Sequence, residues 1–307
     1  MILNTGQRTD IPAFYHEWFL NRIKEGYVYV RNPYYPKLVT KYFLNPDIID
    51  CLCFCTKNPK PMINHLHEIN KFNQIWFVTI TPYGKDIEPN VPNKHQIIDS
   101  FIELSKIVGK EKVIWRYDPI FISNKYSIDY HLRAFESICI KLSNYTNTCI
   151  ISFIDLYKKV IKNFPEVKEV TKEVQIDIYE KLLVIAKKYN IQIKPCSESI
   201  ISDYFSLEKD GCQSQKEIEK ACGFYLDIPK SIKPARKGCN CILGNDIGQY
   251  DTCNHGCKYC YANYDRKNVY ENMKNHDKNS PILIGKIEKD DIIKECTYKS
   301  FRKLNIF

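Results

Sequence analysis

The sequence predicts an α/β protein: a partial (β/α)6 TIM-like barrel followed by a cysteine-rich C-terminal region. Three observations carry this. Up to about residue 195, short apolar β-rich runs alternate with longer amphipathic runs, and the short runs are apolar on both faces, as in parallel sheets. About six such β/α units can be counted, leaving the brief YVYV run aside, which suits a TIM-like barrel better than an open sheet. After Pro195 the periodicity weakens, and cysteine, glycine, lysine and asparagine dominate. The organisation expected is therefore a barrel over 1–195, a cysteine-rich region over 196–265 and a tail over 266–307 that packs on the barrel.

The elements follow from local pattern. MILNT at the start reads as a first strand, and residues 11–26 as a helix capped by Asp10 with Pro12 in its first turn. YVYV (27–30) is a short strand stopped by RNPYYP. IDCLCFCT (49–56) is a buried strand whose period of two puts Cys51, Cys53 and Cys55 on one face. A short helix spans 61–70, a strand 75–81, a helix 95–109 closed by Gly109, and a strand 112–117. A helix over 128–144, a strand over 148–154, a helix over 172–189 and a last clear strand, IQIKP (191–195), complete the series.

Composition narrows the class. The chain has 307 residues, 44% of them apolar and 26% charged, which is ordinary for a globular protein. It has no apolar run of membrane-spanning length and no secretory leader pattern, so a cytoplasmic location and no membrane partner are expected. The net charge of +9 fits either phosphate-bearing partners or lysines spread over helix faces. Without a dense basic block the second explanation is favoured. Eight of the fourteen cysteines lie between Cys196 and Cys260. Disulfides are disfavoured in a reducing compartment, so ligation of a metal or cluster is the expected use.

CNHGCKYC carries Cys253, Cys257 and Cys260 at C-x3-C-x2-C spacing, with Tyr259 before the last. Structural zinc favours C-x2-C pairs and four ligands, and here His255 or Cys241 would have to be the fourth. Three thiolates in a short loop instead suit three corners of a cubane cluster, with the fourth iron open to a small chelating molecule. The stretch resembles the CX3CXφC motif of the radical S-adenosylmethionine (SAM) superfamily, in which φ is aromatic. The resemblance implies a [4Fe–4S] cluster on Cys253, Cys257 and Cys260 that chelates SAM, with Tyr259 near the adenine. It also implies reductive cleavage of SAM to a 5′-deoxyadenosyl radical, a partial (β/α)6 barrel, and an external electron donor of flavodoxin or ferredoxin type. The order departs from that superfamily: the motif follows the last clear strand rather than the first, and no Gly-Gly-Glu segment follows the second strand. The segments RTDIPAFYHEWFLNRI, TKNPKPM, TPYGKDIEPNVP, VIWRYDPI and DIGQYDTCNHGCKYCYAN also resemble a bacterial family known only as a domain of unknown function. That family is noted for a C-terminal cysteine cluster like that of radical SAM proteins.

Cys196, Cys212, Cys239 and Cys241 sit beside turn residues and are expected to close a second site, an auxiliary [4Fe–4S] cluster or a tetrahedral zinc. Cys222 reads as a core residue. Functional residues of parallel α/β folds gather at the carboxyl ends of strands. There Lys57 and Asn58 are candidates for the carboxylate of SAM or the substrate, Asp118 for its ribose hydroxyls, and Arg116, Thr81 and Glu198 for supporting roles. An Arg116–Asp118 pair that merely holds a loop is the plain alternative. The function expected is a radical SAM enzyme of unknown substrate, nucleic acid being one open class. The alternative is a non-catalytic Fe–S or zinc protein that binds nucleic acid or a protein partner.

Overall fold

The computed structural model describes residues 1–208, 211–229, 240–242 and 244–303. β1 (Ile2–Asn4) leads into α1 (Ile11–Phe14) and α2 (His16–Glu25). Asp10 caps α1 by accepting the Ala13 N–H at 3.1 Å, and Gly26 ends α2 at φ +77°. The single helix expected over 11–26 is broken at Tyr15, whose backbone is not helical. β2 (Tyr27–Arg31) and β3 (Leu38–Phe43) form an antiparallel pair. Then come β4 (Cys51–Thr56), α3 (Lys60–Ile63), β5 (Gln74–Thr79), α4 (Lys94–Val108) and β6 (Val113–Ile120). They continue into α5 (Ile128–Leu142), β7 (Thr148–Phe153), α6 (Lys158–Asn163), α7 (Lys172–Lys188) and β8 (Gln192–Pro195). Beyond these lie α8 (Ser199–Tyr204), α9 (Gln215–Cys222), β9 (Asn245–Asp246), α10 (Arg266–Lys274) and β10 (Ile292–Glu295).

The fold is a mixed α/β one around a seven-stranded parallel sheet, ordered β8-β7-β6-β5-β4-β1-β9. From β1 through β4 to β8 the strands step along the sheet in one direction, as short right-handed crossovers require when their helices share one face, and β9 then returns to the far side of β1. Alternation divides the side chains between two cores. Leu52, Phe54, Trp76, Val78 and Trp115 pack under α1 to α8, with Phe54 stacked on Trp76 at 4.0 Å and Trp115 on Phe135 at 4.8 Å. Cys51, Cys53, Ile75, Phe77, Ile114 and Ile150 face the other way, against Ile218 and Ala221 of α9 and against Cys196, Cys212 and Cys241. The period of two thus places Cys51 and Cys53 in one apolar core, and Cys139 and Cys149 pack in the other.

Two features differ from expectation. No hydrogen-bonded pairing joins β8 to β9 among the described residues, so the sheet is open. Its edge strands, four and two residues long, offer little backbone for closure. The cysteine motif also does not follow the last strand of the series: it follows β9, which pairs with β1 at the opposite edge from β8. A two-residue polar strand has no periodicity to reveal it. A second sheet, β10-β3-β2, joins the tail to the β2–β3 hairpin, and Trp18 Nε1 donates to the Ser280 carbonyl at 2.9 Å. No described helix is long and apolar enough to cross a membrane.

His131 is wholly buried on α5. Its Nε2–H donates to the Phe121 carbonyl at 3.0 Å, so Nδ1 accepts the Tyr117 hydroxyl at 2.9 Å. Burial lowers its pKa from 6.5 to about 4, against the raising effect of the Phe121 bond. The unfolded chain therefore binds the extra proton first as the medium is acidified. Stability contributed above pH 6.5 is lost between pH 6.5 and 4, by about 3 kcal/mol in all. Denaturant unfolding across that range should show this loss in the native chain and lack it in His131→Gln.

Candidate metal and cofactor centre

The loop carrying Cys253, Cys257 and Cys260 is delivered to the carboxyl ends of the strands by β9. β9 lies along β1 in the register Leu3–Asn245 and Asn4–Asp246, and Ile247 N–H donates to the Asn4 carbonyl at 3.0 Å. The chain enters β9 through Gly244, where any Cβ would stand 2.0 Å from the Ile2 carbonyl oxygen. Arg8 Nε donates to Asp246 Oδ2 at 2.6 Å, fastening the turn after β1 to the new strand. From there Tyr15 OH holds the Thr252 carbonyl at 2.6 Å. The ring of His276, from the tail, packs edge-on against Tyr15 at 4.7 Å.

The loop is then pinned on two sides. Asp10 Oδ2 accepts the Lys57 N–H at 2.8 Å and His255 Nε2–H at 2.8 Å, so one carboxylate joins the ends of β1 and β4 to the loop. On the β5 side, Asn90 N–H donates to the His255 carbonyl at 3.1 Å and Lys258 N–H to the Ile87 carbonyl at 3.0 Å. Gly256 makes the turn between these contacts at φ +68°, with Pro89 already 3.2 Å from where a Cβ would sit.

Cys257 is buried, and Cys253 and Cys260 are half-buried. Burial pushes the Cys257 thiol up to about 12, opposed by Lys57 and reinforced by Glu88 and Cys260. Burial also raises Cys253, followed by the charges of Asp10, Cys260 and Cys257. The three thiols therefore share one electrostatic neighbourhood. They do not form a compact set: among the described residues only Cys196, Cys212 and Cys241 have ligand atoms all within 4.8 Å of one another.

Glu88 organises the remainder of this neighbourhood. It is 1% exposed on the segment between β5 and α4. Its carboxylate accepts from Lys57 Nζ at 2.9 Å, from Thr81 Oγ1 at 2.7 Å, and from Lys94 Nζ and the Tyr259 hydroxyl at short range. Burial by itself would raise the carboxyl, but the charges of Lys57 and Lys94 outweigh it and hold Glu88 down at about 2. The Lys57 ammonium also stands 5.4 Å from the Tyr259 ring centroid. Three of the predicted residues, Lys57, Thr81 and Tyr259, thus meet on Glu88. Glu88 lay in a polar segment after a strand, and Lys94 had no sequence signal beyond its place in the first turn of α4.

The other predicted residues lie elsewhere. Arg116 pairs with Asp118 Oδ2 through Nε at 3.0 Å and through Nη2, and its Nη1 is 4.0 Å from Cys212 Sγ. This pair faces the second thiol group, whose members Cys196, Cys212 and Cys241 are all buried and could hold a metal ion. Cys212 and Cys241 have their sulfurs 3.2 Å apart. The Cys196 thiol is pulled down by hydrogen bonds from Cys212 and Cys241 and then by Arg116. Cys239 lies outside the described residues. Cys222 packs at the edge of the same core, with Sγ 3.4 Å from the Asp50 carbonyl. Glu198 Oε1 accepts the Phe153 N–H at 2.8 Å at the end of β7, and Asn58 N–H donates to Thr56 Oγ1 at 2.9 Å; neither joins the Glu88 cluster.

An α/β protein with thiol groups at the carboxyl ends of a parallel sheet is the class that fold and site define. The chain belongs to the family described as Domain of unknown function (DUF1848), whose model matches residues 2–262 and so takes in all of these cysteines. Comparison with curated proteins and with solved structures gives no match.

Replacing Glu88 by glutamine would deprive Lys57 and Lys94 of the carboxylate that both pair with. The Glu88→Gln chain is expected to lose about 3 kcal/mol of unfolding free energy, read from the denaturant midpoint at unchanged slope. A loss below about 1 kcal/mol would mean that water, not Glu88, compensates the two ammonium groups.

Proposed function

We propose that the protein is a radical SAM enzyme whose catalytic cluster is held by Cys253, Cys257 and Cys260. The observation that carries this reading is spatial order. The motif is late in the chain, yet it leaves the carboxyl end of β9, the strand beside β1 at the start of the sheet. Read across the sheet rather than along the chain, the cysteine loop follows the first strand, as in the superfamily that the motif resembles.

The residues present fit a cluster. The three thiols influence one another electrostatically, but they are not drawn into a single-ion set like that of Cys196, Cys212 and Cys241. His255 donates Nε2–H to Asp10, and its buried Nδ1 has no hydrogen-bond partner. An unpaired polar atom inside a thiol loop is explained by a bound group beside it.

When bound, a reduced [4Fe–4S] cluster with SAM would supply one-electron cleavage of SAM to methionine and a 5′-deoxyadenosyl radical, which takes a hydrogen atom from substrate. The chain's own residues would hold and shield that chemistry. Cys253, Cys257 and Cys260 supply the thiolates. Tyr259, fixed by Glu88, offers an immobile aromatic face beside SAM. Lys57 and Lys94 keep positive charge next to the thiolates, favouring their ionised, ligating form. The segment 81–91, hydrogen-bonded to the cysteine loop through Asn90 and Ile87, would help to shield the site from water. An external electron donor is required, and the substrate class is open, nucleic acid included.

The reading is tested by anaerobic reconstitution with iron and sulfide, reduction by dithionite, and assay for 5′-deoxyadenosine with SAM present. Formation of 5′-deoxyadenosine is expected in the native chain and its loss in Cys253→Ala, Cys257→Ala or Cys260→Ala. A reconstituted native chain with about four irons bound that cleaves no SAM would refute the enzyme reading and leave an Fe–S binding protein.

A further inference from the structure

We propose that Cys196, Cys212 and Cys241 supply three of the four ligands of a single tetrahedral ion of the zinc type, and that this ion fastens the two edges of the open sheet together. The proposal does not depend on the radical SAM reading, since it concerns different residues on the opposite face of the sheet.

Spacing separates a lone ion from a cluster. Metal–sulfur bonds of about 2.3 Å in a tetrahedron put the sulfurs about 3.8 Å apart. A cubane spreads its thiolates over different irons and needs wider separations. Here all three ligand atoms lie within 4.8 Å of one another, and Cys212 and Cys241 have sulfurs at 3.2 Å. All three residues are buried, in the core cluster that also contains Ile75, Phe77, Ile114 and Ile150.

The site is built rather than incidental. The Cys212 and Cys241 segments run backbone against backbone, with Ile242 N–H donating to the Gln213 carbonyl at 2.8 Å. That approach requires Gly211, where a Cβ would stand 2.4 Å from the Cys241 nitrogen. Gln213 N–H points at Cys241 Sγ at 3.5 Å, and Gln213 Nε2 donates to Asn4 Oδ1 at 2.7 Å, tying the segment to β1. Arg116 Nη1, 4.0 Å from Cys212 Sγ, supplies positive charge against a thiolate-rich ion, and Asp118 fixes its orientation. Three thiols converging from three remote segments, with a counter-charge already positioned, are what a structural ion needs.

Position gives the ion its role. Cys196 immediately follows β8, one edge strand, and Cys241 stands four residues before β9, the other. No strand pairing joins these edges among the described residues. An ion shared by Cys196 and Cys241 would tie them through side chains instead, with Cys212 holding the cover formed by α9.

The test uses the full chain carrying Cys253→Ala, Cys257→Ala and Cys260→Ala, so that the other thiol group cannot contribute. Grown with zinc, it is expected to hold about one ion per chain and no acid-labile sulfide. Loaded with cobalt(II), it should show the visible ligand-field bands of tetrahedral thiolate coordination. Adding Gly211→Val, which keeps every thiol but forces the segments apart, should weaken metal retention at least about tenfold, as Cys212→Ser should. About four irons and four sulfides per chain would overturn the proposal in favour of a cubane. A folded chain with no bound metal would overturn it outright. In the native chain, a zinc chelator should speed amide exchange in β8 and β9 while β5 stays protected, with recovery on adding zinc. Unchanged exchange at both edges after the metal is removed would refute the fastening role.

Discussion

The carboxyl-end site depends on one constraint, the burial of Glu88 between two lysines. A carboxylate withdrawn from water must be neutralised and hydrogen-bonded or it will not stay ionised. Glu88 meets that requirement with groups from four parts of the chain. These are Lys57 after β4, Thr81 after β5, Lys94 at the start of α4, and Tyr259 inside the cysteine loop. Because each partner is needed, each is fixed, and the Tyr259 side chain is held more firmly than apolar packing alone would hold it. Asp10 repeats the device nearby, taking the Lys57 N–H and His255. Two acidic side chains thus set where a loop of three thiols can lie.

The late position of that loop has a topological explanation. The chain first lays down the helix-flanked strands from β1 to β8, crosses the opposite face through α9, and returns to pair β9 with β1. The return is sterically narrow, passing the Ile2 carbonyl at Gly244, and electrostatically marked by Arg8 with Asp246. The Asp246 side chain is buried, and its carboxyl is raised by that burial against the pull of Arg8, so β9 is docked by a polar contact. A strand of two residues gains little from its own hydrogen bonds. Its alignment is set by these flanking contacts.

Much of the fold was legible because burial imposes period. Alternation in CLCFC separated the cysteine face from the face bearing Leu52 and Phe54, and apolar spacing located α4, α5 and α7 to within a residue or two. What was not legible follows from the same logic. β9 has no side-chain period, and barrel closure depends on edge pairing, which a count of β/α units does not contain. In the site, the thiols stood out because cysteine is chemically specific, and Lys57, Thr81 and Tyr259 were found from strand ends and motif. Which acid they would share was hidden, since Glu88, Asp118 and Glu198 all lie in polar segments at or beyond the ends of strands. Only the packing of 81–91 under the returning loop distinguishes Glu88, and only the facing of β6 turns Arg116 and Asp118 toward Cys212.

The two thiol groups also stand in a definite mechanical order. Cys241 lies four residues before β9, and β9 leads directly to Thr252 and the loop that begins at Cys253. Whatever fixes Cys241 therefore helps fix the strand from which the second loop departs. An ion on Cys196, Cys212 and Cys241 would act as a positioning element for the Cys253 loop without touching it, by limiting how far β9 can move along β1. In the reverse direction the coupling is weak. The Cys253 loop is held by Asp10, Asn90 and Glu88, none of which contacts the other thiols, so changes in that loop would pass little strain back to the compact group. The asymmetry follows from chain direction and from where the hydrogen bonds are anchored.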